Sequence, residues 1–416
     1  MKTTSFVLAT QLQTDPSFVE PSKINNVLSH VYQAAEVGKL DMLAVGGPEA
    51  PTLFETLTSQ KQRALEQVYL WYTVLADHPT LQPAHIAINY RGNRLHRQIV
   101  AETQQPISEH FQFACPNHPG VKAHLLAHLD ALLQRYDFDG VFLDKIRFPS
   151  PANGLDGMGA CFCPHCQRAA AEFGLDLAQV RAMLVNPNPS STVGKRPGFA
   201  TASGAAWLDA LLKGLPLIQQ FLIFRANAIT RLVGEISALV RQHGKQLALD
   251  LFSPGLALLV GQDYQALSAH ATWCKPMVYR YANGPAGLRM EIPKLMHTLE
   301  TFTGTTPNAA WAFATRWVPE LAEITLPALK RGQIPLSLIA TEAASAVGLF
   351  APQPVYVGVE AVSLPVFEVN LRPEQVQQLI QTARAAGAAG AVLSWDVLAM
   401  PLENIRAARI AADSAL

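Results

Sequence analysis

The chain has 416 residues, with 32 Lys and Arg against 32 Asp and Glu, so its formal net charge is zero and it has no basic excess with which to bind nucleic acid. Apolar residues make up 49% of the chain, which excludes intrinsic disorder for most of it, and no stretch reaches the ~20 apolar residues of a membrane span. The N-terminal apolar run is too short for a secretory signal, so we predict a cytoplasmic protein.

Eight short runs rich in strand-forming residues follow one another along the chain, and most of them lead into a helical stretch. They begin at Ser5, Asp41, His85, Asp139, Gln246, Thr272, Val355 and Ala391. Helical periodicity is clearest over 122–136, 217–244 and 373–387, just before the fourth, fifth and eighth runs. Alternation of strands and helices is typical of parallel sheets, and eight such units predict an α/β fold, a single (β/α)₈ TIM barrel over residues 1–416.

The longest connection joins the fourth run to the fifth. It contains three of the cysteines and a stretch rich in Pro, Ser and Gly over 186–204. We predict that residues 150–205 form a long insertion after strand 4, on the face of the barrel where active sites form. The segment 304–354 is expected to hold additional helices between the sixth and seventh strands.

Four runs place a carboxylate at or just beyond the end of a strand. In the fourth run Val141 and Leu143 form the aliphatic face, so the alternate residues point into the barrel. The same alternation directs four carboxylates to one rim: Asp144, Asp250, Glu360 and Asp396. Any one of them could cap a helix or pair with a nearby base such as Arg147. A group of four suggests glycoside hydrolysis, which needs one protonated and one ionised carboxyl group.

Other side chains near the strand ends suit a sugar ligand. Tyr90 and Trp395 could stack on a pyranose or simply fill the core. Lys275, Tyr279 and Arg280 precede a Gly/Pro loop and could hold hydroxyls or a carboxylate, or could form ordinary ion pairs with Asp250 or Asp396.

The motif CFCPHC supplies Cys161, Cys163 and Cys166, and a tetrahedral thiolate site needs one more ligand. Cys115 is the best candidate, with His118 and His165 as alternatives. In a cytoplasmic protein this spacing favours zinc over disulfides. We therefore predict a structural Zn²⁺ that ties the insertion to the loop after the third strand, and no organic cofactor.

The C-P-N-x-P context of Cys115, followed by C-[FY]-C-x-x-C, resembles the structural zinc site of the family 42 β-galactosidases, which are (β/α)₈ barrels of a retaining glycosidase clan. The strings DGVFLDKIRFPSP, KPMVYR, GVE and SWD resemble a wider group of glycosidase-like barrels. The resemblance implies a glycoside hydrolase with a carbohydrate substrate, with Asp144 as acid/base and Glu360 as nucleophile. The clan's fourth strand usually ends in Asn-Glu, whereas this one ends in Leu143-Asp144, so the roles of Asp144, Asp250 and Glu360 stay open to exchange.

Two other functions remain open at this point. One is a carbohydrate-binding barrel without turnover, and the other is a lyase or isomerase that uses Lys275 as a base or a Schiff-base nucleophile. A metal-dependent barrel hydrolase is disfavoured because the first run lacks a His-x-His pair. The sequence fixes neither the sugar and linkage nor whether the chain forms a homo-oligomer.

Overall fold

Eight parallel strands close into a barrel in the computed structural model, which describes residues 5–60, 65–95, 112–186 and 215–414. The strands are β1 (Val7–Gln13), β2 (Met42–Gly46), β3 (Gln67–Thr73), β4 (Gly140–Asp144), β5 (Gln246–Phe252), β6 (Trp273–Met277), β7 (Tyr356–Glu360) and β8 (Gly390–Ser394). Each strand pairs with its neighbours in chain order, and β8 closes the barrel on β1. The predicted (β/α)₈ barrel is confirmed.

Helices surround the barrel and connect its strands. The longer ones are Pro21–Gly38, Pro51–Ser59, Pro119–Arg135, Pro164–Phe173, Leu177–Val185, Pro216–Gln242, Leu288–Thr303, Pro307–Trp317, Leu336–Phe350, Pro373–Ala385 and Leu402–Asp413. Short helices are Gly154–Met158, Pro254–Ala257, Tyr264–Ser268 and Leu326–Lys330, and an antiparallel pair joins Ser363–Leu364 to Val369–Asn370. The three helices expected from periodicity are confirmed. Pro373 begins one of them, and Gly387 follows its end in the left-handed region at φ 85°.

The third strand is not the run that begins at His85. The structure forms β3 from Gln67–Thr73, and Ile86 and Ile88 make only isolated antiparallel bridges to Ala114 and Arg94. The segment QVYLWYT is richer in aromatic and β-branched residues than HIAINYR, and it follows β2 after a single helix. The expectation of a barrel strand at His85 is therefore wrong, although the strand count is right.

The interior of the barrel confirms the alternation expected along the strands. Phe142 and Ala248 belong to one internal cluster, with Ala9, Met42, Ala44, Tyr69, Trp273 and Val392. Leu143 pairs with Leu249 across β4 and β5. Asp144 and Asp250 each follow the internal residue of their strand by two positions, so both lie on the inner side at the carboxyl end.

The long connection after β4 begins with three helices between Gly154 and Val185, and residues 187–205 of the expected insertion lie outside the described residues. The segment 304–354 does hold additional helices, as expected. Across the described parts of the chain, none of the helices has the length and apolar character needed to cross a membrane.

Candidate active site and metal centre

A cavity opens at the carboxyl ends of the barrel strands, where (β/α)₈ enzymes place their active sites. Its charged lining residues are Asp144, Lys145, Arg147, Asp250 and Lys275, and its aromatic ones are Trp71, Phe252, Tyr279, Phe367 and Trp395. Six of the residues singled out from the sequence line this cavity: Asp144, Arg147, Asp250, Lys275, Tyr279 and Trp395.

Asp144 ends β4 and is 9% exposed at the cavity. Its Oδ2 accepts a hydrogen bond from the indole N–H of Trp71 at 3.1 Å, and its Oδ1 accepts one from the backbone N–H of Lys145 at 2.5 Å. An ionised carboxylate only accepts hydrogen bonds, so both contacts suit the charged form. Trp71 lies on β3, the strand that the sequence reasoning missed; its signal was the aromatic run QVYLWYT.

Asp250 lies on the neighbouring strand β5 and is 3% exposed. Its Oδ2 accepts from the Lys275 ammonium at 2.9 Å, and its Oδ1 has no hydrogen-bond partner among the described residues. Burial raises the pKa of Asp250 to about 7, and the charge of Asp144 adds to the rise while Lys275 opposes it. Asp250 can therefore hold or release a proton near neutral pH.

Lys275 is buried in the middle of β6, where its Nζ also donates to Oε1 of Gln11 on β1 at 2.7 Å. Burial lowers the pKa of Lys275, but the charge of Asp250 and the hydrogen bonds of the ammonium together raise it by more. The net pKa therefore lies above its ordinary value. The side chain is therefore a permanent cation between two strands.

Arg147 is held at the cavity wall by two aromatic rings. Its guanidinium carbon lies 5.0 Å from the ring centre of Phe113 and 4.7 Å from that of Phe252, and its Nη1 donates to the carbonyl of Phe148 at 3.2 Å. An arginine held in this way presents a fixed cation. Its charge lowers the pKa of Asp250 and so opposes part of the rise that burial causes.

Glu360 lies at the end of β7 but does not line the cavity; it is completely buried. Its Oε1 accepts from the backbone N–H groups of Tyr281 at 2.7 Å and Ala282 at 3.0 Å, and its Oε2 accepts from Arg280 at 3.1 Å. Burial raises the pKa of Glu360 and these three amides oppose the rise. Glu360 thus braces the loop after β6.

Asp396 and Arg280 also serve the backbone around the mouth. The Oδ1 of Asp396 accepts from the N–H of Leu398 at 3.2 Å and caps a short turn, and burial raises its pKa. The Arg280 Nε donates to the carbonyl of Ile334 at 2.8 Å, and its Nη1 donates to the Tyr281 hydroxyl at 3.0 Å. Neither Asp396 nor Arg280 is among the residues that line the cavity.

Two further glutamates have the same role as Glu360. Glu291 is completely buried and accepts from Ser150 Oγ at 2.9 Å, from Ala152 N at 2.9 Å and from Ala286 N at 2.8 Å, so it ties the loop after β4 to the loop after β6. Glu342 accepts from the N–H of Gly255 at 2.7 Å, just after β5. The sequence reasoning singled out neither, because neither lies at a strand end.

One wall of the mouth is aromatic. Trp395 packs between Tyr279 and Phe367, with ring centres 5.5 and 5.4 Å away. Tyr90, by contrast, is not among the lining residues; it lies in the loop after β3, where its ring occupies the space beside Gly159. It belongs to the run HIAINYR, which does not form a barrel strand.

The rim at the end of β2 consists of Gly46 and Gly47. A Cβ atom on Gly46 would lie 1.9 Å from the carbonyl oxygen of Trp71, and Gly47 has φ 120°. Only glycine fits at either position, so β2 itself contributes no side chain to the cavity lining.

The four predicted metal ligands come together away from the mouth. The sulfur atoms of Cys115, Cys161, Cys163 and Cys166 lie within 4.8 Å of one another, and all four residues are buried. Cys115 Sγ is 3.4 Å from the sulfurs of both Cys163 and Cys166. A tetrahedral site with metal–sulfur bonds of about 2.3 Å places its sulfurs roughly 3.8 Å apart, so this group could hold a metal ion.

N–H groups surround the sulfurs, as is usual for thiolate ligands. Ile88 N donates to Cys161 Sγ at 3.4 Å, and Cys166 N donates to Cys163 Sγ at 3.5 Å. The alternative ligand His118 instead caps a helix, with its Nδ1 accepting from Gly120 N at 3.0 Å. His165 is likewise outside the group and contacts Arg168 at 2.9 Å.

Neither a protein-family model nor a curated protein matches this chain in sequence. Solved structures do match. The glycoside hydrolase domain of PgaB (BpsB) from Bordetella bronchiseptica is 13% identical over 95% of both chains, with a TM-score of 0.57. The α-L-fucosidase isoenzyme 2 from Paenibacillus thiaminolyticus is 12% identical, with a TM-score of 0.52, over 97% of this chain and 49% of its own. A β-galactosidase from Rahnella sp. R3 is 11% identical, with a TM-score of 0.52, over 99% of this chain and 55% of its own.

This chain spans about half the length of the fucosidase and the galactosidase. At these identities the similarity shows the fold alone. That fold is one that glycoside hydrolases share.

Proposed function

We propose that the chain hydrolyses O-glycosyl bonds with Asp144 and Asp250 as its pair of catalytic carboxyl groups. One observation carries the proposal: two carboxyl groups on neighbouring strands line the same cavity in different environments. Asp144 accepts two N–H groups, and Asp250 has a pKa raised to about 7. Glycosidases need such a difference between their two carboxyl groups.

Asp250 is the general acid in this proposal and Asp144 is the ionised partner. This differs from the roles expected from the sequence, in which Asp144 was the acid/base and Glu360 the nucleophile. Asp144 now takes the role of Glu360, and Asp250 takes that of Asp144. Glu360 is replaced because its oxygens already accept three backbone amides. Neighbouring strands lie about 4.8 Å apart, which favours a short carboxyl separation. We therefore propose that Asp144 is a nucleophile and that the anomeric configuration is retained.

A carbohydrate fits the rest of the lining. Trp71 and Trp395 offer aromatic surface on which a pyranose can stack, and Arg147 and Tyr279 offer polar groups for its hydroxyls. Lys275 suits Schiff-base chemistry poorly, since that chemistry needs a neutral amine and this amine forms a buried ion pair with Asp250.

The test is a panel of aryl glycosides and oligosaccharides, given to the wild type and to the Asp144→Ala and Asp250→Ala variants. We expect turnover of at least one substrate, with product of retained configuration by NMR. Added azide should then give an inverted azide product with Asp144→Ala and a retained one with Asp250→Ala. Sugar binding without turnover in the wild type would instead favour a carbohydrate-binding protein.

We also propose that the four-cysteine group holds a structural Zn²⁺. Thiolate-only sites favour zinc, and the site joins Cys115, which follows β3, to three cysteines that follow β4. When bound, the ion would neutralise the crowded sulfurs and tie the two loops together. It lies apart from the cavity lining and takes no part in the reaction.

Metal analysis of the purified protein tests this site. We expect one zinc per chain in the wild type and loss of zinc with lowered thermal stability in Cys163→Ser. Cys274 is buried on β6 outside the group, so Cys274→Ser is the matched control and should keep its zinc. Wild-type protein without stoichiometric metal would contradict the proposal.

A further inference from the structure

We infer that Lys275 is a positioning residue that fixes two groups on the cavity floor: it orients Asp250 so that the acidic proton sits on Oδ1, and it turns the Gln11 amide so that Nε2 donates to a substrate oxygen. The inference rests on the proposed function and adds Gln11 to the substrate-binding residues.

The geometry around the ammonium carries the argument. Lys275 Nζ donates to Asp250 Oδ2 at 2.9 Å and to Gln11 Oε1 at 2.7 Å. Lys275 is 1% exposed, and Gln11 is completely buried. An ammonium group has only donors, so each of its partners must present an acceptor.

For Asp250 this requirement decides which oxygen carries a proton. A protonated Oδ2 would direct an O–H at the ammonium, so Oδ2 must remain the acceptor. The proton of the neutral acid therefore belongs on Oδ1, the oxygen that has no partner among the described residues. Lys275 thus presents Asp250 to a substrate in one orientation.

For Gln11 the same requirement decides which way the amide points. Because Oε1 accepts from Lys275, and also from Ser394 Oγ at 3.4 Å, Nε2 faces the other way. Nε2 is buried and has no partner among the described residues, while Gln11 lines the cavity. A buried donor without a partner is costly, and a sugar hydroxyl or ring oxygen would satisfy it.

Several titratable or charged groups interact electrostatically with Asp250. They are Asp144 on β4, Arg147 after β4, Tyr264 in the helix Tyr264–Ser268, Cys274 and Lys275 on β6, and Tyr279 after β6. Lys275 is the largest of those that oppose the rise of the Asp250 pKa, which burial drives. Removal of the ammonium should therefore raise this pKa further.

The first test does not depend on activity. Protein labelled with ¹³C at the Asp carboxyl carbons is titrated by NMR, and Asp250 is assigned by the signal that Asp250→Asn lacks. In Lys275→Met we expect the Asp250 midpoint to rise by about one pH unit or more. If Lys275→Met does not fold, Gln11→Met takes its place, because it removes the anchor of the ammonium, and the expected rise is smaller. An unchanged midpoint in the variant that folds overturns the positioning role.

The second test addresses Gln11. Gln11→Glu keeps an acceptor for Lys275 but turns the free donor into an acceptor, and Gln381→Glu makes the same change at an exposed position on the outer helix Pro373–Ala385, away from the cavity lining. With the best aryl glycoside of the panel, kcat/KM should fall on the order of 10–100-fold in Gln11→Glu. It should change by less than about threefold in Gln381→Glu. Equal effects in the two variants would overturn the role of Gln11.

The two tests separate this inference from the proposed function. If no glycoside is turned over but the Asp250 midpoint shifts in Lys275→Met, the hydrolase proposal fails and the positioning role of Lys275 holds. If glycosides are turned over and the midpoint does not move, the positioning role fails alone.

Discussion

The two halves of the barrel mouth use their carboxyl groups differently. On the side of β4 to β6, Asp144 and Asp250 line the cavity, and one oxygen of Asp250 has no partner among the described residues. On the side of β7 and β8, Glu360 and Asp396 lie outside the lining and accept backbone N–H groups. All four lie in the carboxyl-terminal part of a strand or just beyond it. Strand position therefore brings a carboxyl group to the mouth, but it can act on a substrate only if its oxygens are not already occupied by backbone N–H groups.

Activity measurements on Asp144→Ala and Glu360→Gln give the strongest test of whether Asp144, and not Glu360, reacts with the substrate. We expect kcat to fall by roughly 10²–10⁴-fold in Asp144→Ala, since a reacting carboxylate is lost. Folded Glu360→Gln should keep kcat within about tenfold, since its amide oxygen still accepts from the loop. A collapse of kcat in Glu360→Gln at unchanged stability would restore Glu360 as the nucleophile.

For stability we expect the reverse order, with the larger loss in the Glu360 variant. Glu360→Ala leaves the N–H groups of Arg280, Tyr281 and Ala282 without an acceptor, and we expect the free energy of unfolding to fall by about 2–5 kcal/mol. Asp144→Ala should lower it by less, about 1–2 kcal/mol, because it frees two N–H groups instead of three and water in the adjoining cavity can replace the lost carboxylate. Urea unfolding of both variants measures the difference. Equal losses would show that the two sides do not differ.

The pH dependence sharpens the assignment within the active side. Burial raises the pKa of Asp250 to about 7, and a general acid works only while it is protonated. Above that pH we expect kcat/KM to fall by about tenfold per pH unit. Asp250→Asn should lose this basic limb of the profile together with most of its activity. A limb that persists in Asp250→Asn would assign it to another group.

The smallest effect is expected at Asp396. Its carboxylate caps the turn at Leu398, so Asp396→Ala should lower the free energy of unfolding by about 1 kcal/mol. Asp396→Asn keeps a capping oxygen and should lose less. Thermal unfolding of the two variants checks this, and a large loss of kcat in Asp396→Asn would instead place Asp396 beside the substrate.

Much of the fold could be predicted because it depends on local patterns. Alternation along β4 and β5 predicted that Phe142 and Ala248 lie inside the barrel, and the cysteine spacing predicted that four sulfurs come together; the structure shows both. The third strand was missed because HIAINYR has the alternation of a strand, while its hydrogen bonds in fact join it to loop segments.

The active site was harder to predict for a different reason. Glu360 becomes a brace only because the loop after β6 turns three backbone N–H groups toward it. Almost every residue has a backbone N–H group, so the sequence carries no signal for it. Only the folded loop shows where these three N–H groups point. Likewise, the link from Lys275 to Gln11 joins residues that are far apart in the chain. Residue types at strand ends therefore identified the candidates and the ion pair of Lys275 with Asp250, but not the partners of Glu360 or the contact of Lys275 with Gln11.

The glycine rim at the end of β2 limits how this protein could be redesigned. Because Gly46 would meet the Trp71 carbonyl at 1.9 Å with even a methyl group, a library that varies this position would return mostly unfolded variants. Changes to the cavity lining can instead be made in the loops after β4 and β6, which supply Lys145 and Pro285. The rim therefore has positions in its loops where side chains can be substituted and a position on β2 where they cannot.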